Sequence, residues 1–220
     1  FDGATSFNGD LNNWDVSNVI DMSALFRGAT SFNGNISNWN TTSAENMSNM
    51  FSGATSFNQD VNDWNVFDVL NMSGMFQNAI AFNSELDDWF TGTVTNMTNM
   101  FSGASSFDQS LGDWNIGDVT NMTGMLDNCG MSKLNYDATL RGWESSFSTP
   151  IGISLGAAGL QYCNAADTRA ILTGTGGYSW IINGDNLQCD PFITTWQTTD
   201  NEITIPTPTF GADPYAYSIS

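Results

Sequence analysis

WDVSNVIDMSALFRGATSFN occupies residues 14–33, and WNVFDVLNMSGMFQNAIAFN occupies residues 64–83. The two passages lie fifty residues apart and are identical at nine of their twenty positions, among them the tryptophan, both phenylalanines and the methionine that recur in every copy. A third version sits halfway between them, so the period is 25 residues, and it holds over five copies without an insertion. Phe1, Phe26, Phe51, Phe76 and Phe101 form one column. Phe7, Phe32, Phe57, Phe82 and Phe107 form a second, and Trp14, Trp39, Trp64, Trp89 and Trp114 a third. Met22, Met47, Met72, Met97 and Met122 add a fourth. A unit this short cannot bury its own apolar face, whereas stacked units share a continuous core.

Each copy divides into three parts. The first, as in LNNWDVSNV, alternates around Trp14 and Val16, which predicts a strand with Asn13, Asp15 and Ser17 facing out. The second, as in DMSALFRG, predicts a short helix. Asp21, Asn46, Asn71, Asn96 and Asn121 stand at its N-cap, and Gly3, Gly28, Gly53, Asn78 and Gly103 at its left-handed end. The third is a return turn. There Ala4, Ala29, Ala54, Ala79 and Ala104 are small where coils approach, and Asn8, Asn33, Asn58, Asn83 and Asp108 predict a hydrogen-bonded ladder; a metal-binding column is the sharper alternative. Parallel strands about 4.8 Å apart would make five coils a rod of roughly 20–25 Å with one ribbon-like binding face.

The repeated phrase WNVFDVLNMSGMFQNAIAFN and its sisters resemble the repeat of BspA-type leucine-rich-repeat bacterial surface proteins, over residues 1 to about 190. That resemblance implies an extracellular or bacterial cell-surface protein, often part of a much longer chain, from a family associated with adhesion. It brings no catalytic residues and names no ligand. The expected architecture is an α/β repeat solenoid: a leucine-rich-repeat-like right-handed coil with a parallel β-sheet face, short helices and an α/β C-terminal cap. Phe1 opens the chain in mid-repeat, which predicts a piece of a longer protein; no signal peptide is visible.

The period lapses after Met125. In SKLNYDATLRGWESSF, the residues Tyr136, Leu140, Trp143 and Phe147 are spaced as one face of a helix. IGISL and YSWII read as strands, and NAADTRAILTG reads as a helix with Asn164 as its cap and Gly174 as its stop. The domain reading is therefore five repeats over residues 1–125, a cap over 126–190, and the start of a truncated β-sandwich-like module or linker over 191–220. Cys129 falls in the column of small alanines and is expected as a buried free thiol, which leaves Cys163 and Cys189 as a disulfide; three reduced thiols are the alternative. A disulfide fits an oxidising, extracellular setting.

The formal net charge is −19, from 23 acidic residues against four basic ones, with no histidine. Such a surface repels nucleic acid and anionic membrane and removes every imidazole-based site. No apolar run is long enough to span a bilayer, so direct membrane insertion is not expected. The partners left are cations, basic proteins and glycans, besides neighbouring modules of the same chain. NMS and NMT at Asn46, Asn71, Asn96 and Asn121 match the glycosylation pattern, but the capping role already accounts for them.

Two residues break their columns on the outward side. Phe67 stands where other copies have Ser17, Thr42, Gly92 and Gly117, and Phe90 where they have Asp15, Asn40, Asn65 and Asn115. Two exposed rings among Asp63, Asp88, Asn40, Asn65 and Asn115 would make a ligand platform for a glycan or an extracellular protein. A one-residue slip of register would bury them instead, and an incidental apolar spot is the third reading. Asp60, Asp63, Glu85, Asp87 and Asp88 gather acid ahead of the third and fourth tryptophans and suit Ca²⁺, although no calcium loop is present; GDNLQCD, with Asp185 and Asp190, is a weaker candidate. A glycosidase pair would need a cleft and one raised carboxyl pKa, which a ladder of exposed positions does not offer, so no enzyme is expected. The expected function is non-catalytic adhesion through the sheet face; the alternative is a structural spacer or fibre segment of a large surface protein, with Ca²⁺ stabilisation compatible with either.

Overall fold

The computed structural model describes residues 1–189, 195–197 and 202–204. It divides into two compact units, Phe1–Leu187 and Gln188–Ser220. Within the first unit, residues 1–125 carry the repeats, and each repeat is hydrogen-bonded to the copy 25 residues on.

Neither regular element expected inside a repeat forms. The segment from Met22 to Gly28 is a run of tight turns rather than a helix. Its alternate N–H groups, from Met22, Ala24, Phe26 and Gly28, donate to the carbonyls of Asn46, Ser48, Met50 and Ser52 in the next coil at 2.7–2.9 Å. The intervening N–H groups of Leu25, Arg27 and Ala29 donate three residues back. The physical reason is one of ends. A helix of one or two turns would leave most of its N–H and C=O groups without intrahelical partners, and stacking supplies those partners across coils. The cap residues keep their sequence-read places with a changed role. Asp21, Asn46, Asn71, Asn96 and Asn121 each accept from the N–H two residues on, at 2.9–3.1 Å, which is an Asx turn. Asn78, at φ 55°, occupies the same left-handed position as Gly28 and Gly53.

The expected strand around Trp14 and Val16 is likewise absent. Asp15 and Asn65 draw the N–H of residues 17 and 67 onto their own side chains, and those groups are lost to a ladder. The parallel pairing lies one step further on, in single bridges linking Asp21, Asn46, Asn71, Asn96 and Asn121. Burial still alternates as the sequence pattern requires, with Val61, Trp64, Val66 and Val69 inside and Asp63, Asn65 and Phe67 outside.

The core is a set of aromatic ladders. Phe26, Phe51, Phe76 and Phe101 stack on one another at 5.5–5.6 Å, and each also stacks on the second phenylalanine of its own coil at 3.9–4.0 Å. Trp39, Trp64, Trp89 and Trp114 form a parallel column whose indole N–H groups donate to Leu11, Ile36, Val61 and Leu86 at 2.8–3.2 Å. That bond lets a large ring be buried without stranding its polar atom. The asparagine ladder forms as read, with Asn8, Asn33, Asn58 and Asn83 accepting from the backbone of the next coil and Asp108 accepting from Ser132.

Beyond the repeats, α1 (Lys133–Ser145) buries Tyr136, Leu140 and Trp143 as expected, while Phe147 lies past its end and is fully exposed. The helix sits close on the fifth coil, where Gly142 meets the backbone of Gly112. The strands β1 (Ser154–Gly156) and β3 (Ile181–Asn183) pair in parallel, as do β2 (Gln161–Tyr162) and β4 (Asn186–Leu187). Met122 bridges Leu155, Asn128 and Gly159 continue the left-handed column, and the Gly159 N–H donates onward to Gly184 O, so the ladder of the repeats runs on through the cap.

The second helix, α2 (Ala166–Thr173), is not capped by Asn164. Its entry is held by Asp137, a buried residue of α1 whose carboxylate accepts from the backbone N–H of Cys163, Asn164 and Ala165 at 2.8–3.1 Å. Gly174 does stop the helix, in an extended rather than a left-handed conformation. Cys163 and Cys189 are disulfide-bonded, and Cys129 is free and buried in the alanine column. In the second unit, β5 (Thr195–Gln197) and β6 (Glu202–Thr204) pair antiparallel. The rest of the expected β-sandwich-like segment, residues 191–194, 198–201 and 205–220, lies outside the described residues, as does Asp190.

Candidate functional site

Phe67 and Phe90 line one groove of about 420 Å³ on the outer side of the repeats. Phe67 is 59% exposed and Phe90 75%, so the register that would have buried them is not adopted.

The scaffold holds both rings by their flanks. Val66 and Val69 are buried on either side of Phe67, whose N–H donates to Asn65 Oδ1 at 2.9 Å. Its carbonyl accepts from Thr93 Oγ1 at 2.6 Å. Phe90 lies between two buried anchors. Trp89 is tied through its indole N–H to Val61 O at 2.9 Å, and Thr91 donates through its hydroxyl to Asn115 O at 2.9 Å. Gly92, at the column position that Phe67 fills in the coil before, also lines the groove. A Cβ there would meet Asn115 Nδ2 at 2.8 Å. Asn115 is itself held, accepting at Oδ1 from the N–H of Gly117 at 3.0 Å and from Ser148 Oγ at 2.8 Å.

Three carboxylates line the same groove, Asp87, Asp88 and Asp113. Asn62 Nδ2 spans the first two, at 3.0 Å from Asp87 Oδ1 and 2.8 Å from Asp88 Oδ2. Among the described residues no basic side chain lines the groove. Arg27 pairs with Asp2 and Arg169 with Asp185, both away from it.

Of the residues singled out from sequence, Phe67, Phe90, Asp88 and Asn115 therefore meet in one place. Asn65 stands behind, orienting Phe67. Asp63 is exposed outside the groove, and Asn40 serves its own coil by accepting from Thr42. Asp87 and Asp113 join the platform only in the folded chain. Asp113 takes its place because the coils stack, and its signal in sequence is only its position one residue before a tryptophan. The acid set read as a Ca²⁺ site is split. Asp60 and Glu85 border a second, more polar groove of about 340 Å³ with Asn58, Asn62 and Asn83, whereas Asp87 and Asp88 belong to the first. Among the described residues no three acidic side chains converge as metal ligands.

Asp185, the weaker cation candidate, is occupied by the protein itself. Its buried carboxylate receives Arg169 Nε and Nη2, both at 2.7 Å, and the Tyr136 hydroxyl at 3.0 Å. Burial first, then the neighbouring Asp185 charge, raises the Tyr136 pKa well above its ordinary value. Cys129 is likewise pushed up, to about 11, chiefly by burial. Both arrangements suppress reactivity, and the Asp185 contacts tie Tyr136 of α1 to Arg169 of α2.

The family described as Mycoplasma protein of unknown function, DUF285, matches residues 1–89 and again 61–150. No curated protein and no solved structure matches.

Proposed function

The chain belongs to the DUF285 family, and from that premise we propose a non-catalytic extracellular binding module that engages a glycan or protein ligand in the groove of Phe67 and Phe90. We read the repeats as those of a BspA-type leucine-rich-repeat solenoid on a bacterial surface, in which stacked coils supply a rigid scaffold and column-breaking residues supply the recognition. One observation carries this reading. The two phenylalanines that break an otherwise faithful repeat are both exposed, and both line the same groove. Core positions cannot vary without disturbing the stack, so a binding function has to reside where the columns are open to solvent. Exposed apolar rings among polar neighbours are the usual mark of a contact surface.

The test is a screen of immobilised glycans and matrix proteins with the wild type and with a Phe67→Ala/Phe90→Ala variant of unchanged melting temperature. A ligand retained by the wild type and lost by the variant supports the reading. Ligands bound equally by both would move the function elsewhere on the chain, and no ligand for either would favour the alternative of a spacer. That alternative draws its support from the unbroken run of inter-coil bonds, which suits length and stiffness.

A further inference from the structure

We propose that the groove takes an arginine side chain of a protein partner. This rests on the reading of the groove as the binding site and narrows its ligand. Three carboxylates, Asp87, Asp88 and Asp113, share the groove with two exposed phenylalanine rings, and no basic residue among the described ones lines it. The bond from Asn62 to Asp87 and Asp88 comes from a neutral amide, which orients the two carboxylates and leaves their charge in place. Like charges held together are relieved by a cation and not by a neutral sugar. A cation is also attracted to the face of an aromatic ring within about 6 Å of its centroid. Guanidinium answers both demands, because its flat face stacks on a ring while its edge offers N–H donors to carboxylates. The chain already makes one such arrangement internally. Arg169 lies over the Tyr162 ring at 5.0 Å from the centroid and pairs through two N–H groups with Asp185. The net charge of −19 further draws basic partners in at long range.

The probe is the pentapeptide acetyl-Gly-Ser-Arg-Ser-Gly-amide, compared with the same peptide carrying neutral citrulline, and with maltotriose and chitotriose, by titration against the intact chain at 150 mM salt. Binding of the arginine peptide at least about tenfold tighter than citrulline is expected, equivalent to about 1.4 kcal/mol. It should be lost in Phe67→Ala/Phe90→Ala and in Asp87→Asn/Asp88→Asn/Asp113→Asn. It should survive in Glu45→Gln/Asp118→Asn/Asp167→Asn, which removes the same charge from exposed positions elsewhere. Equal weakening by both charge variants would reduce the effect to the general field and overturn the proposal, as would equal binding of arginine and citrulline. A sugar bound through Phe67 and Phe90 with no arginine binding would also overturn it, while leaving the proposed binding function standing. Failure of every probe, together with a blank ligand screen, would remove both.

Discussion

Asp137 should be worth far more to this protein than Asn164, although sequence alone makes Asn164 the cap of α2. Its carboxylate is 2% exposed and accepts from three consecutive backbone N–H groups, those of Cys163, Asn164 and Ala165. Replacing it with alanine strands those donors, and Ala165 is fully buried. Each stranded buried group costs about 1–3 kcal/mol. Water can reach the exposed Asn164, so one to two groups bear the full penalty, and Asp137→Ala should lose roughly 3 kcal/mol. Asn164→Ala removes a side chain that makes no capping bond and should cost under about 0.5 kcal/mol. Asp137→Asn should fall between, because one amide oxygen replaces two carboxylate oxygens and the new NH₂ faces donors. Urea unfolding followed by tryptophan fluorescence, to which the buried Trp143 and Trp180 of the cap contribute, gives the three values, with amide exchange at residues 163–165 as the local readout. If Asn164→Ala proved as costly as Asp137→Ala, or if exchange at residues 163–165 were unchanged in Asp137→Ala, the remote cap would be wrong.

Gly142→Ala tests the contact between helix and repeats. Alanine is favoured over glycine in a helix by about 1 kcal/mol, yet the added Cβ would lie 2.3–2.5 Å from the Gly112 backbone. A net loss of about 1–3 kcal/mol in chemical denaturation is expected from that overpacking, and a stabilised variant would contradict the close approach. Cys129 should react with iodoacetamide at neutral pH about 100-fold more slowly than an unperturbed thiol, since its pKa is pushed up from 9.0 to about 11. Without reductant, intact mass should show no label on Cys163 or Cys189, and three labelled thiols would contradict the disulfide. Asp108→Asn tests pH linkage. Burial works against ionisation of Asp108, but hydrogen bonds from Ser132 and Asn135 outweigh it and hold its pKa below the ordinary carboxylate value. A depressed pKa stabilises the fold above the unfolded value and loses that effect as pH falls through the folded one. The wild type should therefore exceed the variant by about 0.5–1 kcal/mol at pH 7, discounted for solvent, and the gap should close below about pH 4. A gap independent of pH would show that ionisation contributes nothing there.

Much of the fold was legible because repetition makes each column an average over five environments. The phenylalanine, tryptophan, methionine and alanine columns are buried along most of their length, and the asparagine ladder bonds coil to coil, as spacing alone requires. The partners of backbone N–H groups were not legible in the same way. An Asn or Asp can cap a helix or close an Asx turn with the same atoms, and only the neighbouring coil decides which. The tail of the cap escaped for a related reason. Asn128 and Gly159 continue the ladder, but the interval between them is 31 residues because α1 is inserted, so the period is hidden. At the groove, Phe67 and Phe90 announced themselves by breaking columns, whereas Asp113 repeats an ordinary surface position and joins the site only through stacking.

By itself, then, the sequence determined which residues face inward, one of the two columns at which the chain turns left-handed (the other, Ala24, Asn49, Gly74, Asn99 and Gly124, carries no uniform residue type), which cysteine stays free and where the pattern is broken. Each of these is a property of one position and its period. The tertiary structure alone decided that repeats bond coil to coil through turns, that Asp137 caps a helix nearly thirty residues away, and that two rings and three carboxylates share a groove. These depend on what lies beside a residue in the next coil, and a side chain's partners across that spacing are set by packing rather than by its own propensity.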